Sequence, residues 1–204
     1  MNHTLLNYTI SERIAAFSTT RISPFSLQEE DILQMGNYAA FNVTDYCGDD
    51  FARVKQNKEW LCRELNIENE QLWLPRQTHT DNVIAIDAPF LSLPQEQQKQ
   101  NLQEIDALLT NLPQQCIGVS TADCVPILVY DEAHQAIAAI HAGWRGTIKR
   151  IAEKALQEME HRYGTTPADC KAVIGPSISL EAIEVGEEVA EQFLCAGFPA
   201  SIIN

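Results

Sequence analysis

Two histidines and one cysteine stand out in three short segments. These are Arg76-Gln77-Thr78-His79, Thr121-Ala122-Asp123-Cys124 and Ile140-His141-Ala142-Gly143-Trp144-Arg145-Gly146-Thr147. Each borders a run that reads as a buried strand. Two imidazoles and a thiolate suit zinc, and three protein ligands leave a fourth position open for water or substrate, as in a catalytic rather than a structural site. The same residues support a second chemistry, with Cys124 as nucleophile and His141 or His79 as its base. Each also has a plain reading: a lone cysteine is a small buried hydrophobe, and a lone histidine is a hydrogen-bonded structural residue. Spacing alone does not bring 79, 124 and 141 together. The other histidines, at 3, 134 and 161, sit in terminal or loop contexts.

The His141 segment lies between a strand and a helix. Glycines there let backbone N–H groups approach a ligand, and a helix N-terminus favours an anion. Arg145 adds a forked, charged donor pair for phosphate or carboxylate. The competing reading is a tight turn with Trp144 plugging the core. Asp123 either orients a metal-bound histidine or caps a turn. Arg21 and Gln77 are polar residues close to the candidate segments. No HExxH, GxxxxGK[ST], GxSxG or HxE…PCxxC pattern occurs.

The elements that must hold these residues are legible as periodicities. Ile14–Ser18 reads as a strand and residues 21–38 as a surface loop. Gly48-Asp49-Asp50 starts a helix over about Phe51–Leu65, with Val54, Leu61 and Leu65 on one face. Strands are expected over Val83–Ile86, Asp106–Thr110, Ile117–Ser120, Val125–Tyr130 and Ala136–Ile140. The last two are continuous apolar runs, as for strands covered on both faces. Pro89–Gln103, rich in Gln and Pro, reads as an exposed connection. A helix follows Gly146-Thr147, with Ile148, Ile151, Ala152, Ala155, Leu156 and Met159 on one side, and ends at Tyr163-Gly164. Ala172–Ile174 reads as a buried strand, and Val185, Val189 and Phe193 as a last amphipathic helix. The mixture predicts one α/β domain, an α+β layered sandwich of mixed sheets and flanking helices over 1–204.

Composition narrows the partners. The chain has 204 residues and a net charge of −14, with 28 acidic against 14 basic residues. Such a surface repels phosphate backbones and anionic lipid, so neither nucleic acid nor membrane is an expected partner. No secretory signal is visible at the start. The six cysteines show no CxxC pair, so they read as reduced thiols and the expected location is cytoplasmic.

In order along the chain stand Phe17-Ser18-Thr19-Thr20-Arg21, Gly48-Asp49-Asp50, Gln77-Thr78-His79, Thr121-Ala122-Asp123-Cys124, His141-Ala142-Gly143-Trp144-Arg145-Gly146, Ile174-Gly175-Pro176 and Glu184-Val185-Gly186. Together they resemble the laccase-domain family of purine nucleoside phosphorylases, formerly called multicopper polyphenol oxidases. The resemblance covers nearly the whole chain. It implies a layered α/β fold of the cysteine-hydrolase-like kind, with Zn2+ held by His79, Cys124 and His141. It also implies phosphorolysis of adenosine, inosine, guanosine and methylthioadenosine, deamination of adenosine, and a role in editing peptidoglycan precursors. On this reading Cys124, Asp123 and Arg21 are catalytic, while Arg145, Gly143 and Gln77 bind a small nucleoside and phosphate.

Three departures stand out. Ile22-Ser23-Pro24 replaces the usual Gly-Gly after Arg21, and Ile183 stands where an aromatic is common. The resemblance also implies a closing Cys-Thr and Arg-rich segment beyond Asn204. An amide hydrolase using Cys124 remains the alternative function. A coupled copper cluster needs many more histidines than the five present, and a non-catalytic binding domain with a relic zinc is the remaining reading.

Overall fold

Five strands form the platform on which the chemistry-bearing segments sit. The computed structural model describes residues 4–26, 32–33 and 41–202. The sheet runs β4 (Val83–Ala85), β5 (Ala107–Thr110), β8 (Ala136–Ala142), β7 (Val125–Asp131), β9 (Lys171–Ile174) in spatial order. β4 and β5 are parallel, and every other neighbouring pair is antiparallel. Two small sheets accompany it. One is the antiparallel pair β1 (Leu5–Tyr8) and β2 (Ala16–Thr19), and the other the parallel pair β3 (Leu72–Trp73) and β6 (Cys116–Ile117).

The period of two sorts side chains between the faces of the large sheet. Ala107 and Leu109 of β5 join Ala136, Ala138 and Ile140 of β8 in one cluster, closed by Ile151, Ala155 and Met159 of α5 (Ile151–Tyr163). Leu108 points the other way, to Ile86, Phe90, Leu102 and Ile105. A third cluster packs Trp60 and Leu61 of α1 (Phe51–Leu65) on Phe41, with Leu5 and Phe17 of the β1–β2 pair.

α1 spans the predicted residues. Asp50 caps its start by accepting the Arg53 N–H at 3.0 Å, and Asn66 ends it in the left-handed region. The helix after the His141 strand is instead two pieces, α4 (Trp144–Ile148) and α5. The break is at Arg150, which has φ 63° and lays its guanidinium 3.8 Å from the Phe198 ring centroid.

Residues 89–103 are largely exposed, but helical. They include most of α2 (Ala88–Leu91) and all of α3 (Gln95–Asn101), because Phe90 and Leu102 anchor the Gln-rich stretch in the core. β9 is an edge strand, so Ile174 is 70% exposed rather than buried. The last helix, α6 (Glu187–Cys195), buries Val189, while Val185 lies outside it and exposed. The loop expected over residues 21–38 falls largely outside the described residues. The result is a mixed α/β domain, with six α-helices among the described residues.

Candidate metal centre

All the candidate ligands meet at one end of the large sheet. β4, β5 and β7 run in the same direction, and β8 runs against them. The starts of β5 and β7 therefore lie beside the end of β8. The registers Pro126↔His141 and Ala107↔Ile140 place Cys124, just before β7, and Asp106, just before β5, on either side of His141. His79 arrives in the turn that precedes β4.

The ligand atoms of His79, Cys124 and His141 lie within 4.8 Å of one another. The two imidazoles meet edge to face, with centroids 4.9 Å apart. Gly143 is packed against all three. A Cβ there would sit 2.8 Å from His79 Cδ2 and 3.1 Å from Cys124 Sγ. The donor set is that of a three-ligand zinc site, one sulfur and two nitrogens, with His141 buried and His79 exposed to the open side. The residues present therefore fit the metal that the sequence implies.

Asp106 organises the cluster. Its side chain is fully buried, and Oδ1 lies 2.6 Å from His141 Nδ1. That contact leaves Nε2 of His141 to face the cluster, the usual second partner of a metal-bound histidine. The same carboxylate accepts the backbone N–H groups of Thr78, His79 and Thr80 at 3.3, 3.1 and 2.8 Å. These bonds hold His79 at φ 62°, a region histidine enters more readily than most residues. Burial by itself would raise the Asp106 pKa, but the hydrogen bonds from His141 and Thr80 outweigh it and hold the carboxyl below its ordinary range.

Burial lowers the His79 pKa, and the His141 ring and the Arg145 guanidinium lower it further, which favours the neutral, metal-binding form. The Cys124 thiol is pushed up, by burial first and then by Asp123 and Asp106. Without a metal it is a poor thiolate at neutral pH. Asp81 ties the His79 turn to the helices after His141, pairing with Lys149 at 3.1 Å and with Lys154.

The other expected residues fall in varied places. Asp123 is exposed beside Cys124, and the carboxylate on His141 is Asp106 instead. Arg145 is exposed and lies 4.1 Å from the centroid of the half-buried Trp144 ring, so Trp144 is a platform for Arg145 rather than a full core plug. Gln77 is 8% exposed, and its amide is paired through both ends with the Ser120 backbone. Arg21 is exposed on the wall of a cavity of about 740 Å³ between the β1–β2 pair, α1 and the sheet. None of the three ligands lines that cavity, which borders their segments at Ser120 and Thr121. Asp106 had a signal in the sequence: a lone acid opening the apolar run Ala107-Leu108-Leu109.

Known proteins resemble this one along most of its length. A purine nucleoside phosphorylase of Bacteroides thetaiotaomicron is 46% identical over 181 residues, 89% of this chain and 67% of that protein. Adenosine deaminase RL5 of an unknown prokaryote is 41% identical over 187 residues, 92% of this chain and 68% of that protein. Among solved structures, a Neisseria meningitidis protein superimposes with a TM-score of 0.76 at 25% identity, covering 95% of this chain and 71% of its own. The Bacillus licheniformis hypothetical protein YfiH shares the fold with a TM-score of 0.74 at 20% identity, over 98% and 84%. Residues 17–202 match the profile of one family along nearly the full length, and the chain belongs to that family, described as multi-copper polyphenol oxidoreductase laccase.

Proposed function

We propose that the protein is a zinc-dependent purine nucleoside phosphorylase acting on adenosine, inosine, guanosine and methylthioadenosine, which also deaminates adenosine. The observation that carries this reading is the convergence of His79, Cys124 and His141 within 4.8 Å, with Asp106 on the back of His141. The names of the relatives, purine nucleoside phosphorylase and adenosine deaminase, support the substrate class.

Bound zinc would supply a Lewis acid with an open position. The chain's own residues position the rest. Asp106 fixes the His141 ring and the His79 turn. Arg145, steadied on Trp144, offers a forked donor pair to phosphate. Gly143 keeps the floor of the cluster clear. The exposed Asp123 carboxylate, next to Cys124, is suited to move a proton on the open side, and Arg21 faces the anionic end of a substrate from the neighbouring cavity wall. In phosphorolysis a phosphate oxygen bonds to the anomeric carbon while the glycosidic C–N bond breaks, and the purine leaves with the electron pair and gains a proton. In deamination water adds to the purine carbon bearing the amine, which departs as ammonia.

The cysteine-hydrolase alternative, acting on an amide of a peptidoglycan precursor, is less well supported. Burial and the neighbouring carboxylates raise the Cys124 thiol, which works against a free thiolate nucleophile, whereas a bound metal would itself hold the deprotonated sulfur. The deciding experiment incubates zinc-loaded protein with adenosine, with and without phosphate, and follows adenine, ribose 1-phosphate and inosine by chromatography. Phosphate-dependent base release that a chelator abolishes is expected. Amide hydrolysis without any reaction on nucleosides would favour the alternative.

A further inference from the structure

We propose that Gln77 is a positioning residue for the metal centre, clamping the loop that delivers Cys124 to the turn that delivers His79. This rests on the reading of the cluster as a zinc site. Gln77 lies two residues before His79, and Ser120 four residues before Cys124. The Gln77 Nε2–H donates to the Ser120 carbonyl at 2.8 Å, and Gln77 Oε1 accepts the Ser120 N–H at 2.7 Å. A side-chain amide has one donor and one acceptor side, so it satisfies both backbone groups of one residue as a neighbouring strand would.

The location explains the need. The β3–β6 ladder reaches its last bond where the Gly118 N–H donates to the Trp73 carbonyl at 3.0 Å. Beyond it the two chains run toward different ligands, and the Gln77 amide continues the pairing. The clamp is itself braced. Thr44 Oγ1 donates to Ser120 Oγ at 2.6 Å, and the Gln77 N–H donates to Tyr46 Oη at 3.3 Å. The 42–46 segment is anchored in turn to α1, where the buried Asn57 donates to the Asn42 carbonyl at 2.7 Å. Gln77 and Asp106 thus divide the work: Asp106 fixes His79 against His141, and Gln77 fixes it against the Cys124 loop.

The test measures zinc affinity by chelator competition, and the thiolate-to-cobalt charge-transfer band of cobalt-loaded protein, in Gln77→Met, Gln77→Glu and Thr110→Val. Gln77→Met keeps the volume and loses both bonds, whereas Gln77→Glu keeps the acceptor and loses the donor. Thr110→Val removes a buried hydrogen bond to the Ile86 carbonyl at the far end of β5, and so controls for general destabilisation. Gln77→Met should bind zinc about 10–100-fold more weakly, the usual loss when the support of a ligand is removed, with a weakened or shifted cobalt band. Gln77→Glu should fall between it and the parent, and Thr110→Val should lower the melting temperature while leaving zinc affinity unchanged. Parental zinc affinity and spectrum in Gln77→Met, or an equal loss of affinity in Thr110→Val, would overturn the clamp. A parent that takes up no zinc would overturn the metal-centre reading on which it depends.

Discussion

Gly143→Ala is the most direct physical test of the cluster. Gly143 has φ −70° and ψ 165°, a conformation alanine adopts without backbone cost. The effect of the added methyl is therefore steric. Its carbon would lie 2.8 Å from His79 Cδ2, whereas carbon atoms pack at about 3.5–4.0 Å. The ring must retreat by roughly 0.7 Å or more, and the Cys124 sulfur, 3.1 Å from the same point, must give as well. Ligand positions in a working metal site hold to within about 0.2 Å. The required shift exceeds that tolerance several-fold. His79 is exposed, so its ring can swing outward without unpacking the core. The expected outcome is a melting temperature within a few degrees of the parent, with zinc affinity reduced at least about 10–100-fold, the range seen for losses of supporting contacts. Titration with a competing chelator, alongside thermal unfolding of the metal-free protein, measures both. Parental zinc affinity in the folded variant would refute the argument that Gly143 clears space for the ligands.

Three further predictions follow from single contacts. Arg145→Ala should weaken the phosphate response by roughly ten- to a hundred-fold, the equivalent of losing about 1.5–3 kcal/mol from one charged hydrogen bond, with zinc retained and Arg145→Lys rescuing in part; an unchanged phosphate titration would make Arg145 structural. Asp131 is buried, which alone would raise its pKa, but the nearby Thr165 hydroxyl and the hydrogen bonds from His134 and the Ala133 N–H hold it below the ordinary value. Its stabilisation is therefore complete above about pH 4 and is lost as pH falls through the lower folded value, so urea midpoints of Asp131→Asn should change less than the parent's between about pH 4 and 2. Alkylation by iodoacetamide at neutral pH should label the exposed Cys195 before Cys124 in zinc-loaded protein, and chelation should speed labelling of Cys124; fastest labelling of Cys124 with zinc bound would favour the nucleophile reading.

What could be read from the sequence was whatever depends on neighbours along the chain. The period of α1 and its Asp50 cap, the apolar runs of β7 and β8, and the ligand types at 79, 124 and 141 are of that kind. What could not be read depends on partners far away. Asp106 looks like the first residue of a strand until β8 places His141 beside it. The pairing of Gln77 with Ser120, 43 residues away, leaves no trace in the residues around either. Ala172–Ile174 has the composition of a buried strand, but its position at the sheet edge is decided by strand order, which periodicity does not encode. The Gln-rich stretch hides helices whose stability comes from two buried anchors rather than from an apolar stripe. Arg150 breaks a helical pattern with a left-handed backbone, for which no glycine gives warning.

The hairpin joining β7 to β8 has a bearing on how this protein tolerates insertions and deletions. Its four-residue loop, 132–135, closes on Asp131, whose Oδ1 accepts the N–H groups of Ala133 and His134, and on Gln135 in the left-handed region. The pairing Asp131↔Ala136 at the loop continues without interruption to Val125↔Ala142 at the opposite rim. A strand that slips by one residue presents every side chain to the other face. If the strands re-pair to keep a four-residue loop, a residue lost there would put Ala142, and a residue gained would put Ile140, in the place of His141 beside Asp106. A length change absorbed by the loop leaves the reactive end intact, whereas one absorbed by the register removes a ligand as surely as its substitution.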